Sequence, residues 1–143
     1  KDNWILRLLT LLEDDLLLGI GREVDEFSGR DEGFKVSFFD ISDLNNPREL
    51  DSFVSERTWS QSNFDHKAIV FDNINKRFGL ITNTYNSTDF VTEYQLNIYE
   101  YGDAITRQNF DVLKDNFRQL WMAFDNNIWL VGGEGKPSAI NLN

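Results

Sequence analysis

The chain has 143 residues, 24 acidic against 14 basic side chains, a formal charge of -10 and no cysteine. The lack of cysteine excludes disulfide scaffolds, thiolate metal centres and cysteine nucleophiles, and the lack of a basic cluster argues against a nucleic-acid backbone as partner. The carboxylate surplus instead suits a soluble surface, a cationic partner or bound divalent cations.

Ile5 to Leu12 is read as the first strand, although Ile5, Leu8, Leu9 and Leu12 also satisfy a helical spacing. Asp14-Asp15 marks a turn. Leu16 to Gly21 is then a continuous apolar run of strand length, which suits a strand covered on both faces. Arg7, Glu13, Asp14 and Asp15 interrupt the apolar run from Ile5 to Ile20, so it is too charged and too short for a membrane-spanning helix. No signal peptide is recognisable at the start, which says nothing about secretion if the chain is an internal piece.

An acidic loop from Arg22 to Glu32 follows. Phe34, Val36 and Phe38 then alternate with Lys35, Ser37 and Phe39, the period of a strand. Pro47 lacks a backbone donor and stops that strand in a polar turn, after which Glu49 to Ser55 returns as its neighbour.

The same grammar recurs: His66 to Phe71, a turn at Asp72 to Asn75, Arg77 to Thr82, a polar loop, Glu93 to Tyr101 and Ile105 to Phe110. Asp111 to Phe117 has the composition of a short helical turn. Arg118 to Phe124, a turn at Asp125 to Asn127, Ile128 to Gly132 and Ser138 to Leu142 begin a third unit. The Asp/Asn turns near positions 14, 73 and 126 recur about every 55 residues, a period of repeat architectures.

These strands predict an all-β fold, a β-propeller segment of about two and a half four-stranded blades. The blade units fall at approximately 1–56, 64–111 and 117–143, the last truncated. A complete propeller needs at least about four blades, so the chain is expected to be a piece of a larger protein or a unit completed by partner chains.

Three segments carry a resemblance: Leu17 to Arg22, Val36 to Asp43 with Asn46-Pro47, and Asp65 to Phe71. In this order they resemble the "LLGIGR", "SLFDVSDPSNP" and "DHKAFLF" segments of a secreted β-propeller domain family of bacteria and archaea, distantly related to WD40 repeats. Arg118 to Phe124 with Trp129 to Val131 is similar to that family's next blade. Leu44 stands where the family commonly has proline, and the acidic insertions are long, both departures in loops. The resemblance implies an extracytoplasmic propeller, secreted or at the cell surface, with no chemistry assigned to individual residues.

No nucleophile elbow or phosphate loop is present, and a single histidine excludes a His-rich zinc site within this chain. Gly132 to Pro137 reads as a hairpin. His66, beside Asp65, suits a base or a metal ligand, but its place at a strand start suits a structural hydrogen bond better. Asp25 and Asp31 in the acidic loop, and Asp40 and Asp43 before Pro47, are candidate oxygen ligands for calcium. The simpler readings are a solvated loop, which lacks the EF-hand spacing and is partly neutralised by Arg22 and Arg30, and Asx turns closing on the backbone.

Phe38, Trp121 and Trp129 are expected in the core, whereas Trp59, in the polar stretch from Glu56 to Asn63, is the aromatic placed for surface recognition. Asn86-Ser87-Thr88 matches the N-glycosylation acceptor pattern. The expected role is a scaffold binding a protein or another extracellular ligand through its loops. The alternative is an enzyme domain in which acidic loops hold a catalytic cation.

Overall fold

The computed structural model describes residues 3–60, 68–115, 121–125, 128–132 and 138–142, and among them there is no α-helix. The described residues form twelve strands: β1 (Asn3–Glu13), β2 (Leu16–Val24), β3 (Asp31–Asp40), β4 (Arg48–Ser55), β5 (Thr58–Ser60), β6 (Ile69–Asp72), β7 (Arg77–Asn86), β8 (Val91–Glu100), β9 (Thr106–Asp115), β10 (Trp121–Asp125), β11 (Ile128–Gly132) and β12 (Ser138–Asn141). The chain divides into two compact units, Lys1–Trp59 and Ser60–Asn143.

In the first unit β1 to β4 form an antiparallel sheet in sequence order. Each strand is thus joined to its neighbour by a local turn, the low-cost connection for antiparallel pairs. The region with both helical and strand spacing, Ile5 to Leu12, is strand β1, because Leu8 pairs Ile20, Leu9 pairs Gly19 and Leu11 pairs Leu17 along β2. Leu18, Ile20, Phe34, Val36 and Phe38 form the buried core. Lys35 and Ser37, on the other face of β3, are buried as well, so this inner strand is covered on both sides.

Two glycines permit close backbone approach. A Cβ on Gly21 would collide with the backbone oxygen of Ile5. Gly33 has a φ of +140°, and its Cβ would meet the carbonyl oxygen of Ser55. Gly33→Ala therefore combines backbone strain with overpacking, and we expect a loss of about 2 kcal/mol or more in denaturant melts. Gly29→Ala, at a φ of +71° with open space around it, is expected to cost only about 1 kcal/mol.

In the second unit β6 to β9 pair antiparallel in the order β6, β7, β8, β9, and β10 to β12 form a second meander. Ser60, closing β5, donates its hydroxyl to the Ile81 carbonyl at 2.7 Å. The two sheets pack through Leu96 and Ile98 of β8 against Trp129 and Val131 of β11, a buried cluster flanked by Val70, Phe110, Met122 and Phe124. A Cβ on Gly79 would lie 2.5 Å from the Trp129 ring, so the glycine makes room for the indole. Trp129 and Phe38 are fully buried, as expected; the side chain of Trp121 lies outside the described residues.

Several boundaries differ from the sequence expectations. The helical turn expected from Asp111 is strand through Asp115, because Asp111 pairs Gln95 and accepts its amide at 2.9 Å, and Val112 packs into the cluster. The expected polar loop after Thr82 is mostly ladder: β7 and β8 pair from Arg77↔Glu100 to Asn86↔Val91, leaving a turn over 87–90. The acidic loop is shorter, since β2 continues to Val24 and β3 begins at Asp31. Tyr101 falls just past the end of β8, where its backbone N–H donates to Lys76 O. The strand expected from His66 is described from Ile69; His66 and the hairpin at 133–137 lie outside the described residues.

Candidate functional site

The four candidate ligand aspartates sit at two ends of the first sheet. Asp25 opens the β2–β3 loop, where one carboxylate oxygen accepts the backbone N–H groups of Phe27 and Ser28, both at 2.9 Å. Those two bonds, Ser28 first, hold its carboxyl below the usual aspartate range. Asp40 and Asp43 lie at the β3–β4 turn and close Asx turns, accepting from Ser42 N and Asn45 N respectively. Asp40 also pairs with Arg48 at 2.7 Å, and that bond, then the Ser42 N–H, lowers its pKa to about 2. Among the described residues no three His, Asp or Glu side chains gather as a metal-holding group.

Asp31 is engaged differently, and it leads to the most organised polar site in this unit. Arg22, at the end of the apolar run in β2, is buried. Its Nε donates to Asp31 Oδ2 at 2.9 Å and its Nη2 to Asp31 Oδ1 at 2.6 Å, the two-pronged pairing that a planar guanidinium favours. The remaining Nη1 donates to the Thr58 carbonyl. Gly33 N donates to Asp31 Oδ1 at 2.9 Å. The Arg22 bond is the main reason the Asp31 carboxyl titrates below its usual range, so it is ionised at neutral pH and poorly suited to donate a proton.

The fixed guanidinium lies 5.5 Å from the centre of the Trp59 ring, a cation–π contact. Trp59 is 47% exposed, while its neighbours Thr58 and Ser60 are buried. Its orientation is therefore set from beneath, by a buried arginine whose own donors are used. Phe27, at the tip of the adjoining β2–β3 loop, is 93% exposed. Nearby, Lys35 Nζ lies 3.4 Å from Glu23 Oε2 in a second ion pair, with the lysine side chain almost wholly buried.

Of the sequence-predicted site residues, the structure brings Asp31 and Trp59 together through Arg22. Asp25 belongs to the adjoining loop, Asp40 and Asp43 stand apart in their own turn, and His66 is outside the described residues. The organising role of Arg22 and the buried Lys35–Glu23 pair were not anticipated. The available signal was a cation closing one apolar strand and another in the middle of the next, both in sequence surroundings that call for burial. Asn86 ends β7, and its side-chain oxygen accepts the Thr88 and Asp89 backbone N–H groups.

What this arrangement offers chemically is a flat aromatic surface, held rigidly and backed by a neutralised ion pair. It suits stacking against a planar or apolar ligand group better than proton transfer.

Residues 8–119 match the family model described as Beta propeller domain. An uncharacterized protein of Methanocaldococcus jannaschii is 39% identical over 67 residues, which make up 47% of this chain and 10% of that protein. An uncharacterized protein of Archaeoglobus fulgidus is 33% identical over 61 residues, 43% of this chain and 9% of that protein. The chain thus matches a small fraction of the length of these relatives. No solved structure matches it.

Proposed function

The chain belongs to the beta propeller domain family, and from that premise we propose that it is a binding scaffold acting outside the cytoplasm. Its recognition surface is the end of the first unit where Trp59 of β5 lies over Arg22 beside the β2–β3 loop. The observation that carries this reading is Trp59 itself: an indole left half-exposed while the arginine beneath it is buried and fixed by Asp31 and Thr58. Binding surfaces concentrate energy in rigid aromatic side chains of this kind, because little conformational freedom is lost on contact. The 93% exposed Phe27 adds a second apolar contact on the neighbouring loop. The partner is a protein or another extracellular ligand presenting a flat or apolar group. The extracytoplasmic placement is supported by the resemblance of the Leu17 to Arg22 and Val36 to Asp43 segments to a secreted family.

The test is an array of peptides and glycans probed with the wild-type protein and with the Phe27→Ala/Trp59→Ala double variant. Wild-type protein is expected to mark specific spots, and the variant to lose them by more than about tenfold with an unchanged melting temperature. Spots equally bright with both proteins, or no spot with the wild type, would overturn the proposal.

A further inference from the structure

Asn86-Ser87-Thr88 is the one place in the chain where an asparagine is followed two positions later by serine or threonine with no proline between them. The fold puts this triplet where the β7–β8 hairpin turns. β7 ends on Asn86, β8 begins at Val91, and Asn86↔Val91 is the last pair of their ladder. Asn86 is only partly covered, and Ser87, Thr88, Asp89 and Phe90 are all exposed. A hairpin tip of this kind can take a bulky substituent without displacing packed side chains.

The local hydrogen bonds leave the nitrogen of the Asn86 amide as its less committed atom. Oδ1 accepts the backbone N–H of Thr88 at 2.9 Å and that of Asp89 at 3.3 Å, an Asx turn that holds the side chain by its oxygen. Nδ2 makes longer bonds, at 3.3 Å to Asp89 Oδ2 and 3.4 Å to Glu93 Oε2. An amide nitrogen that carries a sugar gives up one of its two hydrogens and keeps the other. One of these two carboxylates can therefore remain its partner, and the bonds to Oδ1 need not change. The surface beside it is apolar: Tyr85, next in sequence before Asn86, is 50% exposed and Phe90 is 70% exposed. A group attached at Asn86 that covers part of these rings removes apolar area from water, which favours the attached state.

We propose that Asn86 is an N-glycosylation site, receiving an oligosaccharide from a lipid-phosphate-linked donor. In the transfer the bond between the sugar's anomeric carbon and the donor's phosphate oxygen breaks, and a bond from that carbon to Asn86 Nδ2 forms. One Nδ2 proton passes to a base of the transferase, and the lipid phosphate departs as the leaving group. This proposal rests on the extracytoplasmic placement proposed above, because the acceptor pattern is used on surface loops of secreted proteins.

The test is mass spectrometry of the peptide containing Asn86, taken from the natural full-length polypeptide purified from its own host. Labelling of intact cells with a membrane-impermeant biotin reagent reports in parallel where the protein resides. Wild-type protein and Thr88→Ser are expected to carry a glycan mass on Asn86. Thr88→Ala, which leaves the Asn86 amide and the Thr88 backbone N–H in place, is expected to lose it completely. Unmodified Asn86 in wild-type protein that is biotinylated, or recovered from the medium, would overturn the inference and leave the placement standing. Unmodified Asn86 in protein shielded from the reagent would overturn both. A glycan retained by Thr88→Ala would overturn the assignment to this acceptor pattern.

Discussion

Replacing Trp129 by alanine is expected to destabilise the second unit by about 3–5 kcal/mol, the range for emptying a large aromatic site in a packed core. The indole is fully buried and lies between Leu96, Ile98 and Val131, with its ring against Gly79 and a tilted contact to Phe124 at 4.9 Å between centroids. Its removal opens a cavity between two sheets whose backbones are held by their own ladders, so neither sheet can collapse freely into the gap. The loss also falls on an interface between sheets. Hydrogen exchange is therefore expected to rise first in β10 to β12, while the β7–β8 ladder remains protected. A melting temperature within a degree of the wild type would show that the ring is not packed as described.

The second large effect is expected at the β6–β7 turn. Arg77 Nε donates to Asp72 Oδ2 at 3.0 Å, and both side chains are nearly buried. Asn75 adds bonds from its side chain at 2.9 Å and its backbone at 3.2 Å. Burial pushes the Asp72 carboxyl up, but the Asn75 bonds and then Arg77 outweigh it, and the group titrates below its ordinary value of 3.8. A carboxylate depressed in the folded state contributes stability above its unfolded pKa and loses it as pH falls through the folded value. Arg77→Leu leaves that buried charge short of its cation, and we expect a loss of about 3–5 kcal/mol at pH 7. Below the unfolded value the wild type also gives up its advantage as Asp72 protonates, so the gap between the proteins is expected to narrow in acid. Urea melts at neutral and acid pH measure both; an equal gap at the two pH values would contradict a charge-based origin.

Much of this fold is legible in the residues because antiparallel meanders are local. Asp14-Asp15, Asp72 to Asn75 and Pro47 mark turns by their own side-chain and backbone chemistry, and the apolar runs between them are long enough to be strands. What local reading misses is set by partners distant in the chain. Asp111 to Asp115 has no strong strand character, yet the Gln95 amide and the cluster receiving Val112 extend β9 through it. The stretch from Asn83 to Asn86 reads as polar loop, but a facing β8 supplies its ladder.

The candidate site divides in the same way. Trp59 stands out in sequence as an aromatic in polar surroundings, whereas the residue that orients it lies 37 positions earlier in another strand. Arg22 resembles any surface cation until Asp31 and Thr58 are brought to it. The aspartates singled out as cation ligands are common turn formers, and a spacing pattern cannot separate an Asx turn from a ligand loop.

The central structural claim is that within the second unit the β10–β12 sheet packs face to face on the β6–β9 sheet, with Trp129 seated on Gly79. A double-mutant cycle tests it most directly, using Gly79→Ala and Trp129→Leu in denaturant melts. Gly79→Ala alone is expected to cost about 1–3 kcal/mol, because its Cβ would crowd the ring at 2.5 Å and Ile98 Cδ1 at 3.0 Å. In the Trp129→Leu background that penalty is expected to shrink by about 1 kcal/mol or more. Costs that add to within about 0.5 kcal/mol would mean that the two residues do not meet, and would contradict the claim.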